Sequence, residues 1–283
     1  MDQAETLRHE NEGASNIRVI SVTSGKGGMG KTNTVASLAV SFSKMGKRVL
    51  ILDADLALGN IDVLFGVLPQ FTLEDVLSGQ KHLSDIIVQG PCGIQILPTG
   101  SGTDEMAELT PDQKIHLISE LEQLEKSFDI FIIDTAAGIS SNVLYFNAAA
   151  QEIIVIASAE PTSLTDAYAI MKVLSKRYQV KRFRLLVNMV HAEQDAREVF
   201  RKLTLVADRF LNISIDYLGF IPYDDYLKLA VSQQRAVADI YPNARCSQNY
   251  MRVAQQVLQW PISTDPTGSV QFFWRKLLAV ELV

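Results

Sequence analysis

Short apolar runs alternate along the chain with longer amphipathic stretches. The apolar runs fall at Arg18–Ser24, Arg48–Asp53, Ile94–Pro98, Asp129–Asp134, Glu152–Ala157, Arg184–Asn188 and Ile215–Ile221. They are rich in Val and Ile, and some, such as DIFIID, are nearly continuous, as strands buried on both faces are. Between and after them the pattern turns helical: from a glycine-rich turn through about Met45, then over Thr110–Ser127, Ser163–Arg177, Gln194–Phe210 and Tyr250–Gln259. Thr110-Pro111 offers an N-cap followed by proline in the first turn. This alternation predicts an α/β fold, a mostly parallel sheet covered by helices on both faces. Two ends stand apart. Residues 1–16 are polar, and beyond Trp260-Pro261 a turn-rich Ser263–Ser269 leads to a separate apolar segment, Val270–Val283. The expected organisation is a flexible N-terminal segment, 1–16, one α/β domain, 17–260, and a linker with a C-terminal amphipathic helix, 261–283.

Composition narrows this picture. The chain has 283 residues, 47% of them hydrophobic, enough for one large core. A formal net charge of -6 argues against direct, general DNA binding. The cysteines, Cys92 and Cys246, sit in no metal-ligand spacing and make no disulfide framework, which fits a reducing cytoplasm. Met1–Asn16 lacks the apolar run of a signal peptide, and no stretch reaches the roughly 18 apolar residues of a spanning helix. The expectation is a cytoplasmic protein, held at most at the inner face of the cell membrane.

The chemistry is concentrated in Gly25-Lys26-Gly27-Gly28-Met29-Gly30-Lys31-Thr32, which fits G-x-x-x-x-G-K-[ST] between an expected strand and an expected helix. Such a loop turns backbone N–H groups toward phosphate oxygens, and the helix N-terminus adds partial positive charge. Lys31 reaches the β- and γ-phosphates in this arrangement, and Thr32 offers its hydroxyl to Mg²⁺. The reading is a P-loop NTPase that binds and hydrolyses a nucleoside triphosphate with Mg²⁺. Asp53 and Asp55 follow the second apolar run, and Asp134 ends Asp129–Asp134. Strand C-termini of a parallel sheet gather along one edge, where an acidic side chain can hold the Mg²⁺ shell or orient a water.

Lys26 makes the motif more specific. K-G-G-x-G-K-T resembles the deviant Walker A loop of MinD/ParA-type ATPases, and KGGMGKT matches it without departure. Asp53-Ala54-Asp55 through Gly59-Asn60 resembles switch I of that family, and Ile133-Asp134-Thr135-Ala136-Ala137-Gly138 resembles its switch II. The resemblance covers roughly Ile17–Leu258 and implies a MinD-like fold and a homodimer formed with ATP. It makes Lys26 the lysine that reaches the nucleotide of the opposite subunit. Asp55 becomes the residue that positions the attacking water. Asp53 then lies near the Mg²⁺ and hydrolysis site, Asp134 holds the Mg²⁺ shell, and Gly138 lies near the γ-phosphate. Asn188 matches an adenine-contacting asparagine, and Pro222, Tyr223 and Asp224 fall where the family lines its base pocket.

The two ends narrow the branch. Asp2-Gln3-Ala4-Glu5-Thr6-Leu7-Arg8 resembles the D-Q-A-x-x-L-R segment of the FlhG family, also called FleN, which regulates flagellar number. That resemblance assigns Asp2, Gln3, Ala4, Leu7 and Arg8 to contact with the partner GTPase FlhF. It also implies a flagellar master transcription activator of the AAA+ type as a partner in some members. In the C-terminal segment, Val270, Phe273, Trp274, Leu277 and Val280 share one helical face, while Arg275 and Lys276 lie away from it. Such a face suits a membrane surface, and the family has a membrane-targeting helix there; packing on the core or across a dimer is the competing use. Lys172, Lys176, Arg177, Lys181, Arg182 and Arg184 form a basic run, expected mainly as a solvated face. The competing function is a ParA-type DNA-partitioning ATPase, which the acidic charge and the apolar tail oppose. An iron–sulfur carrier on the same fold needs paired cysteines that this chain lacks.

Overall fold

The computed structural model describes residues 17–55, 61–98, 120, 124 and 127–261. The segment 1–16, most of the helix expected over Thr110–Ser127, the Gly59-Asn60 part of switch I, and Val270–Val283 lie outside the described residues. So do the candidates Asp2, Gln3, Ala4, Leu7, Arg8, Phe273, Trp274, Leu277 and Val280.

The strands are β1 (Arg18–Thr23), β2 (Val49–Ala54), β3 (Val88–Gln89), β4 (Gln95–Pro98), β5 (Ile130–Thr135), β6 (Glu152–Ala157), β7 (Arg182–Val190) and β8 (Ser214–Pro222). They form one sheet in the order β3-β4-β2-β5-β1-β6-β7-β8. Every pairing is parallel except the short β3 against β4. Helices follow the strands: α1 (Lys31–Lys44), α2 (Ile61–Phe65), α3 (Leu73–Leu77), α4 (Leu83–Ile86), α5 (Ser141–Ala149), α6 (Pro161–Tyr178), α7 (Glu193–Phe210), α8 (Asp225–Ser232), α9 (Val237–Ile240) and α10 (Arg245–Gln259). The expected α/β architecture is therefore present, and the continuous apolar runs have a direct cause. In β5, Ile130 and Ile132 pack into the core beneath α1 and α10, while Phe131 and Ile133 pack into the one beneath α3 and α4. In β6, Ile154 and Ile156 share that first core, while Ile153 and Val155 face α6 and α7. Successive side chains point to opposite faces, so a strand covered on both sides needs apolar residues at every position.

Helices α5 and α8, nine and eight residues long, are not anticipated by the sequence pattern, and neither are several shorter elements. The helices α2, α3, α4 and α9 span one turn or little more, too few residues for a 3.6-residue period to register. Helix α10 begins at Arg245 rather than Tyr250, and β7 extends two residues beyond the expected run at each end.

Lys172, Lys176, Arg177, Lys181 and Arg182 of the basic run are exposed, as expected of a solvated face, but Arg184 is not. Arg184 is buried, with Nε 3.0 Å from Glu152 Oε2 and Nη1 on the Asp216 carboxylate. Arg182 Nε meets the same Asp216 at 2.6 Å. The register explains this: Arg184 lies beside Asp216 on β8, and Glu152 opens the neighbouring β6. The Arg184 guanidinium also lies 4.3 Å from the centroid of the Trp260 ring, and Arg18 approaches that ring at 5.9 Å. Arg18 Nη2 donates to the Trp260 carbonyl at 2.8 Å. The end of α10 is thus tied to the first residue of β1 at the amino edge of the sheet. Removing one partner of a buried ion pair strands the other charge, whereas an exposed pair contributes little. In urea unfolding we expect Arg184→Ala to cost about 2–4 kcal/mol and Arg182→Ala less than about 1 kcal/mol. Equal effects would show that Arg184 is not the residue holding this cluster.

Candidate functional site

The phosphate loop connects β1 to α1 along the carboxyl edge of the sheet. Glycine is needed at two positions for different reasons. A Cβ on Gly25 would lie 2.3 Å from the Asp166 backbone carbon, so α6 packs directly on the loop. Gly30 caps α1 at φ 77°, in the left-handed region, and a Cβ there would meet Asn188 Nδ2 at 2.5 Å. Lys31 opens the helix and is buried, as the first helical residue beside a phosphate site should be. Ser24 Oγ donates to the Lys26 carbonyl at 2.7 Å, and Gly138 N–H donates to the Ser24 carbonyl at 3.0 Å. The loop after β5 is thereby fastened to the start of the phosphate loop.

Parallel pairing sets Asp53 directly beside Asp134 on adjacent strands. Both are buried. Asp53 accepts from the Ile61 N–H at 3.1 Å and the Asp55 N–H at 3.3 Å, which anchors the chain on both sides of residues 56–60. Its carboxyl is nevertheless pushed up to about 6, because burial outweighs those hydrogen bonds. Asp134 is pushed up to about 7 by burial and by the neighbouring Asp53, against the opposing pull of Thr32 and Lys31. Its Oδ1 is buried with no hydrogen-bond partner among the described residues. An orphaned carboxylate oxygen beside a threonine hydroxyl and a lysine fits a hard divalent cation. Mg²⁺ commonly takes one or two protein oxygens and completes its shell with phosphates and water. Thr32 and Asp134 would hold it, with Asp53 beside Asp134 on the adjacent strand. Asp55, half-buried at the end of β2, stands where switch I begins.

Lys26 has a partner that the sequence reading missed. Its Nζ lies 2.6 Å from Glu160 Oε2 and 2.9 Å from Thr162 Oγ1, at the start of α6. The Glu160 side chain is 64% exposed, so this ion pair is a weak tether. Ser163 donates to the Met29 sulfur at 3.4 Å, so the first turn of α6 grips the loop at two points. Glu160-Pro161-Thr162-Ser163 carried a helix-start signal, proline at the first helical position, but nothing local to connect it with Lys26.

The residues expected around the base divide. Asn188 comes to the loop: its Nδ2 donates to the Met29 carbonyl at 2.8 Å, and its Oδ1 accepts from Met189 N–H. Met189 itself sits at φ 60°, unusual for a residue other than glycine, directly after Asn188. The Tyr223 ring is 44% exposed, with the Lys228 amine 4.9 Å from its centroid and the His191 ring at 5.9 Å, and the Pro222 that precedes it is the last residue of β8. Asp224 carries a structural role as well. Its Oδ1 accepts from the Tyr226 N–H at 3.0 Å and its Oδ2 from the Cys246 N–H at 3.1 Å. Both oxygens cap helix N-termini, of α8 and α10, and each retains a lone pair for a further donor.

Fold and site define a P-loop ATPase with a deviant Walker A loop. The AAA domain family AAA_31 matches residues 17–186. The antiactivator FleN of Pseudomonas aeruginosa is 45% identical over 262 residues, covering 93% of this chain and 94% of that protein. The flagellum site-determining protein YlxH of Helicobacter pylori is 31% identical, covering 93% and 90%. Among solved structures, the septum site-determining protein MinD of Pyrococcus horikoshii, complexed with Mg-ADP, superposes with a TM-score of 0.69 at 25% identity, over 86% of this chain and 96% of that one. The chain belongs to the AAA_31 family and, within it, to the FleN/FlhG branch of MinD/ParA-type ATPases. It is an ATPase.

Three outcomes follow from this geometry. Asp53 and Asp134 titrate at about 6 and about 7 in the fold against an ordinary 3.8. Between those values the folded, nucleotide-free chain holds protons that the unfolded chain has released. Their contribution to stability is complete below the ordinary value and is lost as pH rises through 6 and 7. The melting temperature should fall across that window, and Asp134→Asn should flatten the fall. Mg²⁺ needs the ionised carboxylate, so calorimetry should find it bound roughly tenfold more tightly near pH 8 than near pH 6. Equal affinities would mean that Asp134 is already ionised. Separately, Gly30→Ala should cost about 1–3 kcal/mol through backbone strain and displace Asn188, with loss of nucleotide binding in a fluorescent-ATP titration.

Proposed function

We propose that this chain is an ATP-dependent dimerising switch that restricts flagellar number. The observation that carries this reading is Lys26. It belongs to the phosphate loop, yet its amine is turned to Glu160 and Thr162 on an exposed tether. A weakly held cation at the rim of the site is free to serve the nucleotide of a second copy. The extended similarity to the FleN antiactivator and to a flagellum site-determining protein supplies the biological context.

In this reading the loop N–H groups and Lys31 bind the β- and γ-phosphates of ATP, and Thr32 and Asp134 hold Mg²⁺. The metal supplies charge neutralisation to the phosphates when bound. Asp55 accepts a hydrogen bond from the attacking water and aligns it with the γ-phosphorus. Lys26 of each protomer stabilises the charge that develops on the transferred phosphoryl group of its partner. Water adds, the bond to the ADP oxygen breaks, and the loss of the γ-phosphate releases the dimer. The segment bearing Asp2, Gln3, Ala4, Leu7 and Arg8 meets the FlhF GTPase, and the dimer surface meets a flagellar transcription activator. The face formed by Phe273, Trp274, Leu277 and Val280 rests on the inner membrane surface in the ATP state. Among the described residues, no helix is long and apolar enough to cross a membrane. Direct DNA partitioning is the weaker reading, since Arg182 and Arg184 of the basic run are committed to Asp216 and Glu152.

The test combines size analysis, turnover and lipid sedimentation with Mg·ADP and Mg·ATP. Lys31→Ala should lose ATP binding. Lys26→Ala should keep binding but lose the dimer and at least ~100-fold of turnover. In the native host, neither variant should restore flagellar number to cells lacking the wild-type chain. A monomeric Lys26→Ala variant that still hydrolyses ATP at the wild-type rate would falsify the shared-site reading. DNA retention that depends on Lys172 and Lys176 would favour partitioning.

A further inference from the structure

A groove of about 300 Å³ lies between α1, α9 and α10, apart from the nucleotide-binding residues. Ala238, Pro242 and Met251 give it apolar lining, and Lys44, Gln248 and Arg252 give it polar lining. Its charge is positive. Helix α10 has no aspartate or glutamate in its 15 residues. Arg252 is exposed and forms no ion pair with a described residue. The Lys44 amine is held by backbone carbonyls, those of Ala238 at 2.6 Å and Asp239 at 3.4 Å, while the Asp239 carboxylate is engaged by Arg235.

The chain itself supplies a matching segment. Residues 1–16 carry four carboxylates, Asp2, Glu5, Glu10 and Glu12, against one arginine, Arg8. They join the core at Ile17, and the next residue, Arg18, donates to the Trp260 carbonyl at 2.8 Å. The segment therefore leaves the core beside the C-terminal end of α10. Arg252 lies eight residues back along that helix from Trp260, about 12 Å at 1.5 Å per residue. An extended chain covers about 3.3 Å per residue, so the seven residues from Ile17 to Glu10 span up to ~23 Å. Reach, exit point and charge all agree.

We propose that the segment 1–16 docks in this groove of its own chain, with Glu10 and Glu12 at Arg252 and Lys44 and with Leu7 on the apolar lining. Docking withholds Asp2–Arg8 from other proteins until it is displaced. The groove is also joined to the chemistry, because α1 runs from Lys31 in the phosphate loop to Lys44 in the groove. The inference holds whichever partner the segment meets.

Hydrogen exchange on the full-length, nucleotide-free protein at low salt tests it. The wild type should protect the amides of residues 2–12 by ~10-fold or more over the free-chain rate. Arg252→Glu should reduce that protection to less than ~3-fold, and adding Glu10→Lys with Glu12→Lys should restore it, as charge complementarity requires. Free-chain exchange in the wild type overturns the proposal. So does protection that ignores Arg252→Glu, or protection that vanishes on dilution, which would make the occupant a second copy. No nucleotide or partner is present, so failure here leaves the ATPase reading untouched.

Discussion

A carboxylate buried without a cation is an unstable arrangement, and this fold builds two of them side by side. Asp53 and Asp134 are forced together by the parallel register of β2 and β5, at the edge where the phosphate loop begins. Neither can retreat: Asp53 is fixed by the N–H groups of Ile61 and Asp55, and Asp134 is enclosed completely. Both are therefore held partly protonated near neutrality. The unfavourable charge is what makes the site selective for a ligand that brings positive charge with it. Lys31 and Thr32 oppose the shift at Asp134 without cancelling it, and a divalent cation would supply further positive charge there.

A second constraint acts on the loop from the side. Helix α6 touches the phosphate loop at Gly25, Lys26 and Met29, and Asn188 on β7 holds Met29 from another direction. The loop is shaped by elements far along the chain as well as by its own glycines. The opposite edge of the sheet is closed differently. There Arg18 and Arg184 gather on Trp260, with Glu152 and Asp216 balancing their charge. The sheet thus has a chemical pole and an anchoring pole, and both terminal segments depart from the second. Strand β1 and helices α1 and α10, the two helices packed together in one core, run between the poles.

The sequence by itself determined the architecture and the identity of the chemical groups. Continuous apolar strands, an unbroken KGGMGKT loop and aspartates at strand ends are local signals, legible without the fold. What it left undecided were relations between distant positions. That Asp53 and Asp134 are neighbours follows from strand order, which no local pattern encodes. Lys26 meets Glu160 because α6 starts beside the loop. Asp224 resembles a base-pocket residue, and it also caps two helices because α8 and α10 begin within reach of one carboxylate. Arg184 read as one member of a solvated basic run, yet pairing with β6 and β8 buried it. Periodicity and motif report on a residue's own backbone and nearest neighbours. Partners, desolvation and the resulting pKa shifts are properties of the packed fold, and only the tertiary structure decided them.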